Sequence, residues 1–143
     1  NNFSHYKAFT HQHLGEISES ISQLQPGWNR EIYFIPNRGN FSRGIFATAY
    51  TEFTEDLEAA FELYEDFYKH APFTVVSRRG VFLKQVVNTN KCLIHLHKHK
   101  NKLLITSIID NLLKGASGQA IENMNLMFGL ERKLGLELKA NFF

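Results

Sequence analysis

The stretch KCLIHLHKHKNKLLITSIID, residues 91–110, indicates most clearly how this chain is expected to fold. Apolar and β-branched residues dominate both halves of the stretch, and Asn101 between them is a typical turn residue. The pattern predicts a β-hairpin with strands at residues 91–100 and 102–110. Both strands are unusually long. The chain is therefore expected to contain a β-sheet that includes this hairpin.

Outside the hairpin, strands and helices are clustered and do not strictly alternate. An amphipathic helix is predicted for His13–Leu24, because Leu14, Ile17 and Ile21 recur at three- and four-residue intervals. Further strands are predicted at residues 31–36, 44–53, 73–77 and 81–87, and further helices at residues 54–69, capped by Thr54, and 111–130. Strands clustered between helices indicate an α+β fold with a largely antiparallel or mixed sheet.

Two glycines inside the predicted final helix have two interpretations. Gly115 and Gly118 each cost up to about 1 kcal/mol relative to alanine in a helix interior. Close backbone approach to a ligand or a neighbouring helix would offset that cost. Alternatively, Gly115 marks a break and the helix begins at Ser117. The pattern favours neither interpretation over the other.

Composition narrows the class of protein. The 143 residues are enough to bury a hydrophobic core within a single domain. The 16 basic and 14 acidic residues are interleaved, which argues against a nucleic acid or an anionic membrane as the partner. No apolar run is long enough to span a bilayer. Cys92 is the only cysteine, so no intrachain disulfide can form and a cytoplasmic setting is expected.

Four segments, in this order and spacing, resemble the N-acetyl-gamma-glutamyl-phosphate reductase family. The first is HQHLGEI at residues 11–17, similar to the family's His-x-His-x-x-Glu-Ile. The others are FIP at 34–36 with RGI at 43–45 and ATAY at 47–50; Lys84 with TNKC at 89–92; and IDNLLKGASGQA at 109–120, continuing into NMNLM at 123–127. The last segment is the most specific of the four.

The resemblance covers essentially the whole chain but only the C-terminal part of that family's proteins. It implies a domain like the C-terminal domain of glyceraldehyde-3-phosphate dehydrogenase, with helices on one face of the sheet and a partner subunit on the other. The implied reaction is the NADPH-dependent reduction of an N-acyl-gamma-glutamyl phosphate to its semialdehyde in arginine biosynthesis, through a cysteine thioester. We expect residues 1–143 to be a single substrate-binding and dimerisation domain, excised from a longer protein.

The family's dinucleotide-binding domain, with its glycine-rich loop and Asn-Pro-Gly-Cys motif, has no counterpart in this sequence. The chain by itself is therefore expected to lack the nucleophile and to be inactive. Its expected partners are its own N-terminal Rossmann domain, which would bind most of the NADP, a second copy of the chain in a homodimer through the sheet, and the acyl-phosphate substrate.

The resemblance also implies site residues. A neutral imidazole suits deprotonation of the catalytic thiol. We favour His11, which precedes the predicted helix, for that role, and His13 remains the alternative, because spacing alone does not say which of them faces the cleft. Arg43 and Arg38 are expected to bind the carboxylate or acyl phosphate of the substrate through their guanidinium groups. The cofactor-binding candidates, next to the nicotinamide, are Lys114, Gly115, Ser117 and Gly118. For these four, simple helix packing is an equally good explanation.

Two tempting sites are rejected. His95, His97 and His99 alternate along one predicted strand, but neighbouring side chains on one strand face do not readily converge on a tetrahedral metal ion. No metal site is therefore expected. Cys92 lies within a predicted strand, and its thiol is expected to be inert.

The sequence leaves two alternative functions open. In these alternatives the chain is either a non-catalytic dimerisation or binding module, or a domain of a related semialdehyde dehydrogenase. The aspartate-semialdehyde type lacks the Lys-Gly-Ala-Ser-Gly-Gln signature. Acetyl and succinyl substrates would present the same acyl phosphate, and the contacts that separate NADPH from NADH belong to the other domain.

Overall fold

The computed structural model describes residues 2–140. The chain divides into two compact units, Asn1–Ser42 and Arg43–Phe143. None of the helices within the described residues is long and apolar enough to cross a bilayer.

The first unit contains one helix and a short strand pair. Helix α1 (His13–Leu24) has the bounds predicted from its apolar periodicity. None of its residues is fully buried. Strands β1 (Ser4–His5) and β2 (Asn37–Arg38) form an antiparallel pair. The apolar stripe of α1 is therefore only partly covered.

The strand predicted at residues 31–36 is wrong. Isolated backbone bonds hold this segment: Phe9 N donates to Phe34 O at 3.0 Å, and Tyr6 N donates to Pro36 O at 3.0 Å. A strand needs a continuous ladder, and Pro36 has no N–H to donate. The segment runs beside the N-terminal residues without forming that ladder, and regular pairing begins only at β2.

The second unit is built on a four-stranded mixed sheet. Its strands are β3 (Ile45–Glu52), β4 (Thr74–Ser77), β5 (Cys92–His99) and β6 (Lys102–Ile109), in the order β3-β6-β5-β4. The predicted hairpin is confirmed as the antiparallel pair β5–β6. Strand β3 pairs antiparallel to β6, whereas β4 is parallel to β5. The sheet is therefore mixed, as expected for the α+β class.

The strand predicted at residues 81–87 is also wrong. Parallel strands need a crossover connection, because the chain must return to the same end of the sheet. Residues 78–91 supply this connection between β4 and β5, and they include a 3₁₀ turn at Leu83–Gln85. Val86 is fully buried. The apolar residues that suggested a strand therefore serve packing rather than sheet pairing.

Helix α2 (Leu57–Tyr68) ends close to the predicted position but has a different cap. The Asp56 side chain, rather than that of Thr54, accepts a hydrogen bond from Ala59 N at 2.8 Å. Asp56 is extended and directly precedes the first helical residue, which is the position where a carboxylate satisfies a free backbone N–H. Thr54 lies too far upstream to reach that N–H.

One hydrophobic core cluster of the second unit lies between α2 and one face of the sheet. Ala60 and Phe61 pack with Ile94, Leu96 and Leu103, and each of these five residues is at most 5% exposed. Burying one leucine or isoleucine side chain contributes about 1.5–3 kcal/mol. Helix α2 contacts β4 and β5, whereas every residue of β3 is exposed. The helix therefore covers the β4–β5 side of the sheet.

The predicted final helix has two parts. Leu113–Ser117 forms a π-helical turn, in which Gly115 N donates to Asp110 O at 2.9 Å and Ser117 N donates to Leu112 O at 3.1 Å. Helix α3 (Gly118–Met127) follows with α-helical geometry. Each interpretation holds in part: α-helical geometry starts next to Ser117 rather than at residue 111, but the backbone stays helical through Gly115 and is not broken there.

Gly118 is required by a close approach to Asn90. A Cβ atom built on Gly118 would lie 1.8 Å from Asn90 Oδ1 and 2.9 Å from Leu113 O. Asn90 is 2% exposed and donates from Nδ2 to Leu136 O at 2.8 Å, so it is not free to move aside. At Gly115 the nearest atom, Asp110 O, would lie at 3.4 Å. Close packing thus offsets the low helix propensity of Gly118.

We expect Gly118→Ala to lower the free energy of unfolding by about 1–3 kcal/mol, because a methyl group would overpack against the buried Asn90. Gly15→Ala is the matched control, since Gly15 lies in α1 and a Cβ atom added to it would meet nothing within 4 Å. That change should raise the free energy of unfolding by about 0.4–1 kcal/mol. Urea denaturation followed by circular dichroism measures both, and equal stability of the two variants would refute the packing argument.

Candidate functional site

The two predicted catalytic histidines lie side by side in the first unit. His11 precedes α1 and His13 is its first residue, and their ring centroids are 4.5 Å apart. His13 N donates to His11 Nδ1 at 3.2 Å. The ring of His11 also meets Tyr6 and Phe34 edge-on, each at 5.5 Å between centroids. The start of the helix therefore fixes the orientation of His11.

The surroundings of His11 disfavour its protonated form. Desolvation beside its aromatic neighbours, followed by the charges of His13 and Lys7, lowers the pKa of His11 below its ordinary value, and Glu16 opposes the shift only weakly. The backbone N–H at Nδ1 requires a lone pair there, so the proton of the neutral ring lies on Nε2. His11 is thus fixed as an N–H donor. The side chain of His13 accepts or donates no hydrogen bond among residues 2–140 and keeps a free lone pair.

Arg38 belongs to the same cluster of the first unit. Its guanidinium carbon lies 4.2 Å from the centroid of the Tyr6 ring, and Tyr6 in turn contacts His11. An arginine that stacks on an aromatic ring keeps the N–H groups at the edge of its guanidinium available for hydrogen bonds. Arg38 and the histidine pair are thus joined through one tyrosine.

Arg43 is anchored in the second unit by a buried carboxylate. Asp110 is fully buried, and its Oδ2 accepts from Asn88 N at 2.8 Å and pairs with Arg43 Nη1 at 3.4 Å. Its Oδ1 accepts from Leu112 N at 2.8 Å and from Leu113 N at 3.0 Å. Arg43 Nη1 also donates to Asn88 Oδ1 at 2.5 Å. One carboxylate therefore connects the Arg43 loop with the start of the π-helical turn.

The charge of Asp110 is stabilised where it is buried. Burial by itself would raise the pKa of Asp110, but the backbone N–H donors of Asn88, Leu112 and Leu113, together with Arg43, outweigh it and hold the pKa below its ordinary value. Sequence reasoning singled out Arg43 and missed Asp110 and Asn88. The available signal was an aspartate directly after a strand and before a helical segment, which is a capping position.

Only one nitrogen of Arg43 is used by these contacts. Among residues 2–140, Nε and Nη2 form no hydrogen bond, and the side chain is 33% exposed. The Nε–Nη2 edge of a guanidinium binds a carboxylate or phosphate through two parallel hydrogen bonds. The next residue, Gly44, has a φ of 113°, and a Cβ on it would lie 2.6 Å from Leu83. The backbone conformation therefore requires a glycine directly after Arg43.

The predicted cofactor residues have different environments. Lys114 Nζ donates to Glu122 Oε2 at 2.8 Å, and Arg132 Nε donates to Glu122 Oε1 at 2.6 Å. Glu122 is 1% exposed; burial opposes its ionisation, but the two cations outweigh burial and lower its pKa. Gly118 is buried against Asn90, whereas Gly115 and Ser117 are exposed. Packing thus accounts for Lys114 and Gly118, whereas Gly115 and Ser117 are the two cofactor candidates that lie on the exposed surface of the turn.

The histidine row on β5 and the cysteine have ordinary surroundings. His95 Nδ1 donates to Ser77 O at 2.9 Å, while His97 and His99 are exposed. In the described part of the chain, no group of three or more histidine, cysteine, aspartate or glutamate side chains is close enough to hold a metal ion. Cys92 Sγ is half-buried in the sheet, 3.5 Å from Ser107 Oγ.

Comparison with known proteins identifies the family. Residues 1–111 match the sequence model of the family described as semialdehyde dehydrogenase, dimerisation domain. The chain is 67% identical over its full length to an N-acetyl-gamma-glutamyl-phosphate reductase from Christiangramia forsetii, and 62% identical over its full length to one from Flavobacterium johnsoniae. A third reductase, from Parabacteroides distasonis, is 60% identical over 99% of the chain.

The chain spans 44% of the length of each of these relatives. The comparison confirms the resemblance seen in the four sequence segments, and the fold class agrees with the mixed sheet and the helices described above. Because the family match extends over residues 1–111, the chain belongs to the semialdehyde dehydrogenase dimerisation-domain family.

Proposed function

We propose that residues 1–143 are the substrate-binding and dimerisation domain of an NADP-dependent N-acetyl-gamma-glutamyl-phosphate reductase, acting in cytoplasmic arginine biosynthesis. The observation that carries this proposal is the 67% identity to a protein of that name along the whole chain. The histidine pair and the anchored Arg43 support it, because they supply a neutral base and an anion-binding group. The rest of the reductase would contain the nucleotide-binding domain and the catalytic cysteine.

The histidine pair supports a division of labour at the thiol. Thioester formation needs a base that accepts the thiol proton, and a group that donates a hydrogen bond to developing negative charge on the substrate. His13 has a free ring lone pair and suits the first task. His11, fixed with its proton on Nε2, suits the second. We therefore propose His13 as the base, in place of His11 that the sequence favoured, and give His11 the complementary role of hydrogen-bond donor.

The substrate carries negative charge at both its carboxylate and its phosphate. Arg43 offers its Nε–Nη2 edge to one of these groups, since Nη1 is already bound to Asn88 and Asp110. Arg38, held over the Tyr6 ring in the first unit, is the second proposed substrate-binding arginine. Fixing one nitrogen of Arg43 before binding reduces the entropy that the side chain loses when the substrate arrives.

The exposed residues of the π-helical turn suit the nicotinamide end of the cofactor. Gly115 has no side chain and Ser117 a small one, so a flat ring could approach the backbone between them. Lys114 and Gly118 would support this turn from behind, through Glu122 and Asn90. The cofactor, when bound, would supply the hydride that reduces the thioester. NADP rather than NAD is part of the proposal.

The exposed part of the opposite face of the sheet, around Tyr50 and Leu104, is the proposed homodimer interface. Tyr50 pairs with Leu104, which pairs with His97, so these side chains share one face. The core residue Leu96 is adjacent to His97 and therefore points to the opposite face, under α2. Tyr50 is 74% exposed and Leu104 is 36% exposed. A second copy of the chain would cover this apolar surface.

The overall function is tested on the full-length protein that contains this chain. We expect it to oxidise NADPH in the presence of N-acetyl-gamma-glutamyl phosphate, with phosphate release and formation of the semialdehyde. The succinyl substrate and NADH, assayed in parallel, settle the acyl group and the cofactor. Absence of activity with both substrates and both cofactors would favour a non-catalytic dimerisation module.

The roles of the histidines are tested by kinetics of the same protein. We expect His13→Gln to lower kcat by about 10²–10⁴-fold, the usual contribution of a general base. His11→Gln should cost less, because the glutamine amide restores an N–H donor near Nε2. If His11→Gln has the larger effect on kcat, the base is His11.

The interface is tested on the chain itself by light scattering after gel filtration. Tyr50→Glu should convert the dimer to a monomer, because it places a carboxylate in an apolar contact. Phe67→Glu is the matched control: this aromatic residue of α2 is 77% exposed and lies on the helix that covers the other face. If only Phe67→Glu dissociates the dimer, the interface lies on α2 and not on this face of the sheet.

A further inference from the structure

We propose that Asp110 is a positioning residue that holds Arg43 and the π-helical turn in one fixed arrangement, so that the substrate-binding and cofactor-facing groups act together. This inference rests on the proposed function, because it takes Arg43 as the substrate-binding group and the turn as the cofactor-facing group. It assigns a role to a residue that touches neither ligand.

The two oxygens of Asp110 serve different segments. Oδ1 accepts the backbone N–H groups of Leu112 and Leu113, which begin the turn. Oδ2 faces Asn88 N and Arg43 Nη1. The backbone carbonyl of Asp110 also accepts from Gly115 N at 2.9 Å. Any displacement of this carboxylate therefore moves both the arginine and the turn.

A simple helix cap would not need this arrangement. Capping requires one acceptor oxygen near the first backbone N–H groups, and a serine, threonine or asparagine supplies it without burying a charge. Asp110 is fully buried, and desolvation of its charge is unfavourable. The second oxygen, with its bonds to Asn88 and Arg43, is what distinguishes Asp110 from a cap. An asparagine cannot replace both oxygens, because one of its two terminal groups is a donor.

Asn88 completes the tether of the arginine. Its N–H donates to Asp110 and its Oδ1 accepts from Arg43 Nη1, so the two residues hold the same nitrogen. Asn88 has a φ of 64°, a left-handed conformation that asparagine tolerates better than most residues. With Nη1 held twice, rotation of the guanidinium is restricted and its Nε–Nη2 edge remains for the ligand.

The test uses the full-length reductase and four variants: Asp110→Asn, Asn88→Gly, Arg43→Ala and the Asp110→Asn/Arg43→Ala pair. Asp110→Asn should raise the KM for the acyl phosphate by at least tenfold and should also raise the KM for NADPH. Asn88→Gly keeps the backbone N–H and tolerates the left-handed backbone, so it loosens only Arg43. It should raise the KM for the acyl phosphate severalfold and leave the KM for NADPH unchanged.

The double variant separates positioning from general stability. If Asp110 acts on the substrate through Arg43, adding Asp110→Asn to Arg43→Ala should raise the KM for the acyl phosphate no further. Independent, multiplicative effects on that KM would overturn the proposal, as would an unchanged KM in Asp110→Asn. If Asp110→Asn does not fold, an unchanged KM for the acyl phosphate in Asn88→Gly overturns it. A wild-type protein without reductase activity would sink the proposed function and this inference together.

Discussion

The pairing of β5 with β6 is the constraint on which the second unit depends. This register places Leu96 opposite Ile105, so that one face of the hairpin is apolar where α2 packs. A shift of one residue would turn the core side chains to the other face. The hairpin also provides the edges on which β3 and β4 assemble.

The same register determines where β6 ends, and the proposed binding elements meet there. Asp110 follows directly after β6, and β3 begins two residues after Arg43, opposite the end of β6. The sheet thus brings the arginine and the carboxylate together, although 67 positions separate them along the chain. The π-helical turn starts from the same point because Asp110 binds its first N–H groups. The pairing of the strands therefore also brings the residues of the candidate site together.

Buried carboxylates recur in this unit as connectors. Asp110 joins a loop to a turn, and Glu122 joins Lys114 to Arg132. Hydrogen bonds together with one cation at Asp110 and two cations at Glu122 offset the desolvation of each carboxylate, and the charge is retained inside the protein. Such groups specify one arrangement of their neighbours, since a carboxylate left without its partners would be strongly destabilising. The segments around these carboxylates are also closely packed, as the contact of Gly118 with Asn90 shows.

Local sequence patterns were sufficient for the features that neighbouring residues encode. The period of apolar residues predicted the bounds of α1, and the paired apolar runs around Asn101 predicted the hairpin, because helix and strand repeats are properties of neighbouring residues. Long-range contacts decided the rest. Residues 81–87 have strand composition but form a crossover, since β4 and β5 are parallel, and Asp56 rather than Thr54 caps α2. The partnership of Arg43 with Asp110 could not be predicted locally, because it depends on contacts between residues far apart in the chain.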